Sequence, residues 1–298
     1  MYSLKPPVKR IIIPENSRLC SSEFIYGVGT SAYQIEGGAE SREPNIWDTF
    51  CKKPGAIADQ TNADISCNHD KLWQQDIELI NALNVDAYRF SIAWSKVINA
   101  DGTLNQKGIG FYHKILDRLN EYGIKSFVTL YHWDLPQNLE DKGGWLNRDM
   151  AFYFSDYVQH IANSFKGKVY SYATLNEPYC SAHLGYETGI HAPGLIGKQY
   201  GKKAGHHLLL AHGLGMQVLQ NTSPESKNGI VVNVTPMYAA TNNIEDIKAT
   251  EIADQEFNHW YIKPLIDGKY PDLLQNMDEQ DRPVIHENDL KIISTAIN

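Results

Sequence analysis

Short apolar runs rich in β-branched and aromatic residues recur along the chain, and each is followed by a stretch with helical spacing. Five of the runs read as buried strands: 24–31 (FIYGVGTS), 85–92 (VDAYRFSI), 124–131 (IKSFVTLY), 169–175 (VYSYATL) and 229–235 (GIVVNVT). Between them, Trp73, Ile77 and Ile80 stand at i, i+4, i+7. Ile109, Tyr112, Ile115, Leu116 and Leu119 share one helical face that Gly123 ends, and Phe154, Tyr157, Val158, Ile161 and Phe165 share another that Asn147 caps. A further helix, from about Lys202 to Gln220, carries Leu210, Leu214 and Val218. Alternation of strand and helix predicts parallel strands joined by helical crossovers, an α/β protein built either as a barrel or as a doubly wound sheet.

The strand ends favour the barrel. Gln34 follows the first run, Arg89 lies inside the second, His132 and Trp133 follow the third, and Asn176 and Glu177 close the fourth before Pro178. Polar side chains from several successive strands then face one mouth, which is how barrels assemble sites. The nucleotide-binding alternative needs a glycine-rich loop, and Gly27-Val-Gly29 runs into Thr30, Ser31 and Ala32 with no further glycine in register. No internal repeat, low-complexity tract or Pro/Gly linker marks a domain boundary.

Composition narrows the partners. With 298 residues, 42% hydrophobic and 21% charged, there is material for a large core. A net charge of −8 supplies no basic patch to neutralise a phosphate backbone, so a nucleic-acid partner is not expected. Seventeen tyrosines and six tryptophans offer flat faces with polar tips, which suit a large core and also a sugar-binding cleft. The apolar run Ile11-Ile12-Ile13 before Pro14 is too short for a secretory or membrane segment, so no membrane partner is expected and a cytoplasmic location is the default. The sequons at Asn221 and Asn233 carry little weight without an export signal. Cys20, Cys51, Cys67 and Cys180 lack paired spacing and read as free thiols, and Cys67 with His69 does not by itself make a metal site.

Several segments in order resemble glycoside hydrolase family 1, the β-glucosidase family of (β/α)8 barrels: GVGTSAYQIEG at 27–37, NIWDTF at 45–50, YRFSIAW at 88–94, TLYHWDLP at 129–136, Gly144-Trp145, TLNEP at 174–178 and GYETGIHAPG at 185–194. The resemblance runs from about Phe24 onward and implies an α/β (β/α)8 TIM barrel of which about the first five βα units are present. Residues 1–18 form an extension with no counterpart, and 19–298 the partial barrel.

It also implies a retaining β-glycosidase that acts on β-O-glycosides with two carboxyl groups and no metal or cofactor. Glu177 matches the acid/base, whose carboxyl has to be protonated at neutral pH through burial and a neighbouring negative charge. Asn176 matches the residue that bonds the sugar 2-hydroxyl, and Gln34 and His132 match sugar ligands that both donate and accept. Trp133 would wall the same subsite. Arg89 matches the arginine beside the nucleophile, and inside an apolar strand it calls for a buried carboxylate partner.

The nucleophile's own context, Ile/Val-x-Glu-Asn-Gly, is absent from the 298 residues. Its nearest lookalike, VIHEND at 284–289, places Asp289 where the glycine belongs and precedes a probable helix, so Glu287 reads as a helix-start acid. The expected partners are therefore a small-molecule carbohydrate and the missing C-terminal barrel portion, and the isolated chain is expected to be inactive. The alternative is a catalytically dead barrel fragment that only binds carbohydrate or protein.

Overall fold

The computed structural model describes residues Ile12–Ile297; most of the expected N-terminal extension lies outside them. Five parallel strands, β1 (Gly27–Gly29), β2 (Ala87–Ser91), β3 (Lys125–Tyr131), β4 (Ser171–Asn176) and β5 (Lys227–Val231), form one sheet in strictly sequential order. A doubly wound sheet reverses its order at a switch point. Sequential order is an arc of a barrel wall, as expected.

The principal helices are α1 (Ile46–Cys51), α2 (His69–Ala82), α3 (Gln106–Glu121), α4 (Met150–Ser164), α5 (Lys198–Thr222), α6 (Ile244–Asp254), α7 (Trp260–Asp267) and α8 (Asp289–Ile293). The register aligns Gly29, Arg89, Phe127, Ser171 and Lys227 across the sheet, so alternation sends these residues to one face. Tyr88, Phe90, Val128, Leu130, Tyr172 and Thr174 point the other way and are all buried. Helices α3 and α4 cover that face: Tyr157 donates to the Leu130 carbonyl, and the Ala93 N–H donates to the Tyr112 hydroxyl.

The opposite, inward face is only half-covered. Arg89, Phe127, Ser171, Ala173 and Gly229 are half-buried there, and an open cavity of about 320 Å³ lies over them. Among the described residues β1 and β5 are each paired on one side only. Unpaired parallel edges and an uncovered apolar face favour association.

The predicted faces of α3 and α4 are buried in full, from Ile109 to Leu119 and from Phe154 to Phe165. Helix α3 opens on Asn105, whose side chain accepts from the Lys107 and Gly108 N–H groups, and closes before Gly123 at φ +69°. Asn147 does not cap α4 as expected. Its side chain accepts from the Asp149 N–H in the turn before, and the helix starts at Met150. Helix α5 starts at Lys198, and its deepest residues include Ala204, Leu208, Ala211 and Leu219 rather than Leu214 and Val218, which are half-buried.

A buried ionic cluster ties α8 to this layer. Arg148 donates two bonds to Asp289, at 2.8 and 2.5 Å, and the His286 N–H donates a third at 2.8 Å. His206 Nε2 lies 3.0 Å from Oδ2, and its Nδ1 is 2.9 Å from the Tyr270 hydroxyl. Burial pushes the Asp289 carboxyl up, but Arg148, the His286 N–H and His206 outweigh it and bring it down to about 2. A depressed carboxylate contributes stability that is full above its unfolded value near 4 and is lost as the pH falls toward 2. Asp289→Ala leaves Arg148 without its carboxylate and His206 with Tyr270 alone, and is expected to cost about 3 kcal/mol in denaturant unfolding at pH 7. A loss within error of zero would show the cluster is not holding the segment.

All four cysteines are free. His69 places Nδ1 2.6 Å from Asp76 Oδ2. Among the described residues no helix is long and apolar enough to cross a membrane.

Candidate active site

The expected site residues other than Arg89, which lies within β2, follow or end the strands on their carboxyl side. Gln34 follows β1 on the helical turn Ala32–Ile35, exposed, with its backbone carbonyl accepting from the Ser66 hydroxyl. His132 and Trp133 follow β3, and Asn176 ends β4 with Glu177 next. Gln34, His132 and Trp133 line one cavity of about 330 Å³ together with Tyr33, Trp47 and His191. A cavity of about 460 Å³ between Trp94, Asn138 and Tyr153 is larger but holds none of the expected residues. Volume alone does not locate chemistry.

Asn176 is tied to a wall residue of the first cavity by a hydrogen bond, and Glu177 follows it in the chain; neither lines the cavity itself. Trp133 Nε1 donates to the Asn176 carbonyl at 2.8 Å. Arg89 donates through one terminal nitrogen to Asn176 Oδ1 at 2.5 Å and through Nε to Thr129 Oγ1 at 3.0 Å. Since an amide oxygen held this way accepts from Arg89, the Asn176 NH2 group is fixed in direction. A register shift between Ala173 and Asn176 re-aims the end of β4, as such irregularities do near sites.

Two of these residues have left-handed backbones, Trp133 at φ +77° and Glu177 at φ +47°. A bulky residue there costs about 1 kcal/mol or more and persists only when its surroundings hold it. The Trp133 indole bond holds one, and the Glu177 N–H donating to the Val231 carbonyl at 2.8 Å holds the other.

The electrostatics follow from burial. Burial and the Arg89 charge lower His132 to about 4, so its imidazole is neutral at pH 7 and can both donate and accept. Its Nδ1 is buried and has no partner among the described residues. Burial also lowers Arg89, offset by the charge of Glu177, and Arg89 has no ion pair among the described residues. Cys180 is pushed up to about 12 by burial and by Glu177, toward whose Oε2 its thiol points at 3.4 Å.

Glu287 is exposed in the turn before α8 and lines neither the cavity nor the Arg89 face. Among the described residues no group of three or more His, Cys, Asp or Glu is placed to hold a metal ion.

Sequence reasoning passed over Tyr33, Trp47 and His191. His191 lies between two indoles at tilted angles, its ring centroid 5.3 Å from Trp47 and 5.5 Å from Trp133. All three lie inside the motif segments, where the available signal was an aromatic or imidazole ring in a loop, a type that a core explains equally well.

The comparisons place the chain in a family. The model of "Glycosyl hydrolase family 1" matches residues 17–298. A β-glucosidase of Agrobacterium sp. is 38% identical over 279 residues, covering 93% of this chain and 61% of that one. β-Glucosidase A of Thermotoga maritima is 39% identical over 280 residues, covering 92% and 63%. Among solved structures, the family 1 β-glucosidase of Thermotoga maritima superposes with a TM-score of 0.89 at 39% identity, over 93% of this chain and 63% of that one. Virulence factor SghA of Agrobacterium tumefaciens, solved with its substrate analogue salicin, does so at 0.89 and 38%, over 92% and 61%. The chain thus spans about three-fifths of the length of these relatives. With the family model matched over residues 17–298 and the strand order in agreement, the chain belongs to glycosyl hydrolase family 1.

Proposed function

We propose that this chain supplies the sugar-binding half and the acid/base of a retaining β-glucosidase, with Glu177 as the proton donor to the leaving oxygen. The carrying observation is the chain of contacts from the Gln34–His132–Trp133 cavity through the Trp133 indole to Asn176 and Arg89, beside Glu177. Neutral His132 and the Gln34 amide offer donors and acceptors to vicinal hydroxyls, and the Trp133 face walls the sugar ring. Asn176, held by Arg89, turns its NH2 toward the position of a 2-hydroxyl, where a bond strengthens as the oxocarbenium-like state develops. Glu177 protonates the leaving oxygen in the first step and takes a proton from water in the second. Relatives that carry β-glucosidase names and the salicin-bound neighbour support a β-glucoside substrate.

The nucleophile has to come from a second carboxylate beside Arg89, supplied by the C-terminal part of the barrel. The inward face and the free edges of β1 and β5 are where that part docks. A cytoplasmic location and action without metal or cofactor belong to the same reading. Binding of carbohydrate or protein without hydrolysis is the runner-up, and it draws on Arg89, which lacks a carboxylate partner among the described residues.

The test is stereochemical. A barrel completed with the C-terminal portion of a family relative is expected to hydrolyse an aryl β-glucoside with the β-anomer of glucose appearing first by proton NMR. The α-anomer first, or no hydrolysis by a folded barrel, contradicts the reading.

A further inference from the structure

Behind the cavity wall lies a carboxyl group that the proposed chemistry does not use. Asp134, the residue after Trp133, is 1% exposed, and neither carboxyl oxygen receives a hydrogen bond of normal geometry. An ionised carboxylate in that position is costly unless a cation meets it. The charges of Arg42 and Glu36 on the β1 side act on it, and its own charge acts on Tyr112 on α3, Tyr131 on β3 and Tyr157 on α4. Arg42 is the one cation among them, and it is already engaged, donating to Asp48 at 2.5 and 2.8 Å.

Asp48 is in turn structural. Its side chain accepts from the Asn45 N–H at 2.8 Å and completes the capping box at the start of α1. Helix α1 carries Trp47 and Cys51 into the cavity wall, and Arg42 lies over the ring of Tyr33, another wall residue. The two segments are laced together: the Ile46 N–H donates to the Leu135 carbonyl and the Gln137 N–H to the Pro44 carbonyl, both at 2.9 Å. Arg42 therefore hydrogen-bonds Asp48 on one side of the lacing while its charge acts on Asp134 on the other.

We propose that Asp134, Arg42 and Asp48 form a relay in which Asp134, on losing its proton to solvent, competes with Asp48 for Arg42 and thereby shifts Trp47 and Tyr33 in the cavity wall. Asp134 is a positioning residue. It touches no ligand and acts through Arg42. Burial raises its carboxyl to about 7, with Arg42 and the peptide groups of Asp134 and His132 only partly offsetting it and Glu36 adding to it. The switch thus falls near neutrality. His132 and His191 are both lowered by burial, so their own titrations lie at more acid pH.

This inference rests on the sugar-site reading only for the meaning of the wall, and its test needs no sugar. The 298-residue chain is labelled with 5-fluorotryptophan, the Trp47 and Trp133 fluorine signals are assigned through Trp47→Phe and Trp133→Phe, and both are followed by NMR from pH 5.5 to 8.5. The Trp47 signal is expected to shift with a midpoint near 7, and Asp134→Asn to abolish that shift. Asp48→Asn frees Arg42 for Asp134 and is expected to lower the midpoint by a unit or more, which decides the matter even if Asp134→Asn does not fold. A Trp47 signal that does not titrate, a titration that persists in Asp134→Asn, or a midpoint unmoved in Asp48→Asn would overturn the relay whatever the cavity binds.

Discussion

Purified residues 1–298 are expected to show no hydrolysis of an aryl β-glucoside above background, and co-expression with the C-terminal barrel portion of a family relative to restore turnover. The reasoning is chemical. Glu177 can give a proton to a leaving oxygen, but double displacement also needs a carboxylate that attacks the anomeric carbon from the other face, about 5 Å away. On the proposed reading Arg89 stands beside that group, and among the described residues it has no ion pair. The lookalike Glu287 is exposed before α8, and Asp289, two residues on, is committed to Arg148 and His206. Without the attacking group the loss is of the whole covalent pathway, many orders of magnitude. Turnover by the isolated chain that Glu287→Gln abolishes would reassign the nucleophile to the segment we read as a helix start.

The second large effect concerns Glu177 in a completed barrel. Glu177→Gln removes the proton donor while keeping the shape of the side chain. For alkyl glucosides, whose leaving groups need protonation, kcat/KM is expected to fall by about 10²–10⁴. For dinitrophenyl glucosides, whose leaving groups depart unaided, the first step is expected to be nearly unchanged, with the second step limiting. A fall of the same size for both substrates would mean that Glu177 holds the site together rather than moving a proton.

Much of this architecture was legible in the chain because period and burial agree. The α3 and α4 faces repeat at helical spacing and are buried in full, and Tyr88, Phe90, Val128 and Leu130 alternate toward the helices as strand residues do. Misreadings came where side-chain size is not the signal. Helix α5 approaches its neighbours through glycines: a Cβ on Gly213 would lie 2.1 Å from the Ile292 carbonyl, and one on Gly215 3.2 Å from Phe154. An apolar pattern cannot see such contacts. The fifth strand was placed over 229–235 but runs over Lys227–Val231, because Thr235 satisfies its backbone on the Asn258 side chain instead of a neighbouring strand.

Site residues at strand ends were readable for the same reason that strands were. Gln34, His132, Trp133, Asn176 and Glu177 each follow an apolar run that ends abruptly, and Arg89 is the one cation inside its run. The cavity's other wall was not. Tyr33, Trp47 and His191 come from a turn, a six-residue helix and a loop far apart in sequence, and only the fold brings them together. Asp134 was equally silent, since nothing in its segment announces a carboxyl group without a partner.

The central claim is that Glu177 is the acid/base of a covalent glucosyl pathway, and azide tests it most directly. In a completed barrel, Glu177→Ala leaves a gap where the carboxyl stood, and the glucosyl intermediate formed from a dinitrophenyl β-glucoside then waits for a nucleophile that needs no base. Added azide is expected to raise kcat by tenfold or more and to yield β-glucosyl azide, the retained product. No rate gain, or glucosyl azide of the α configuration, would contradict the assignment.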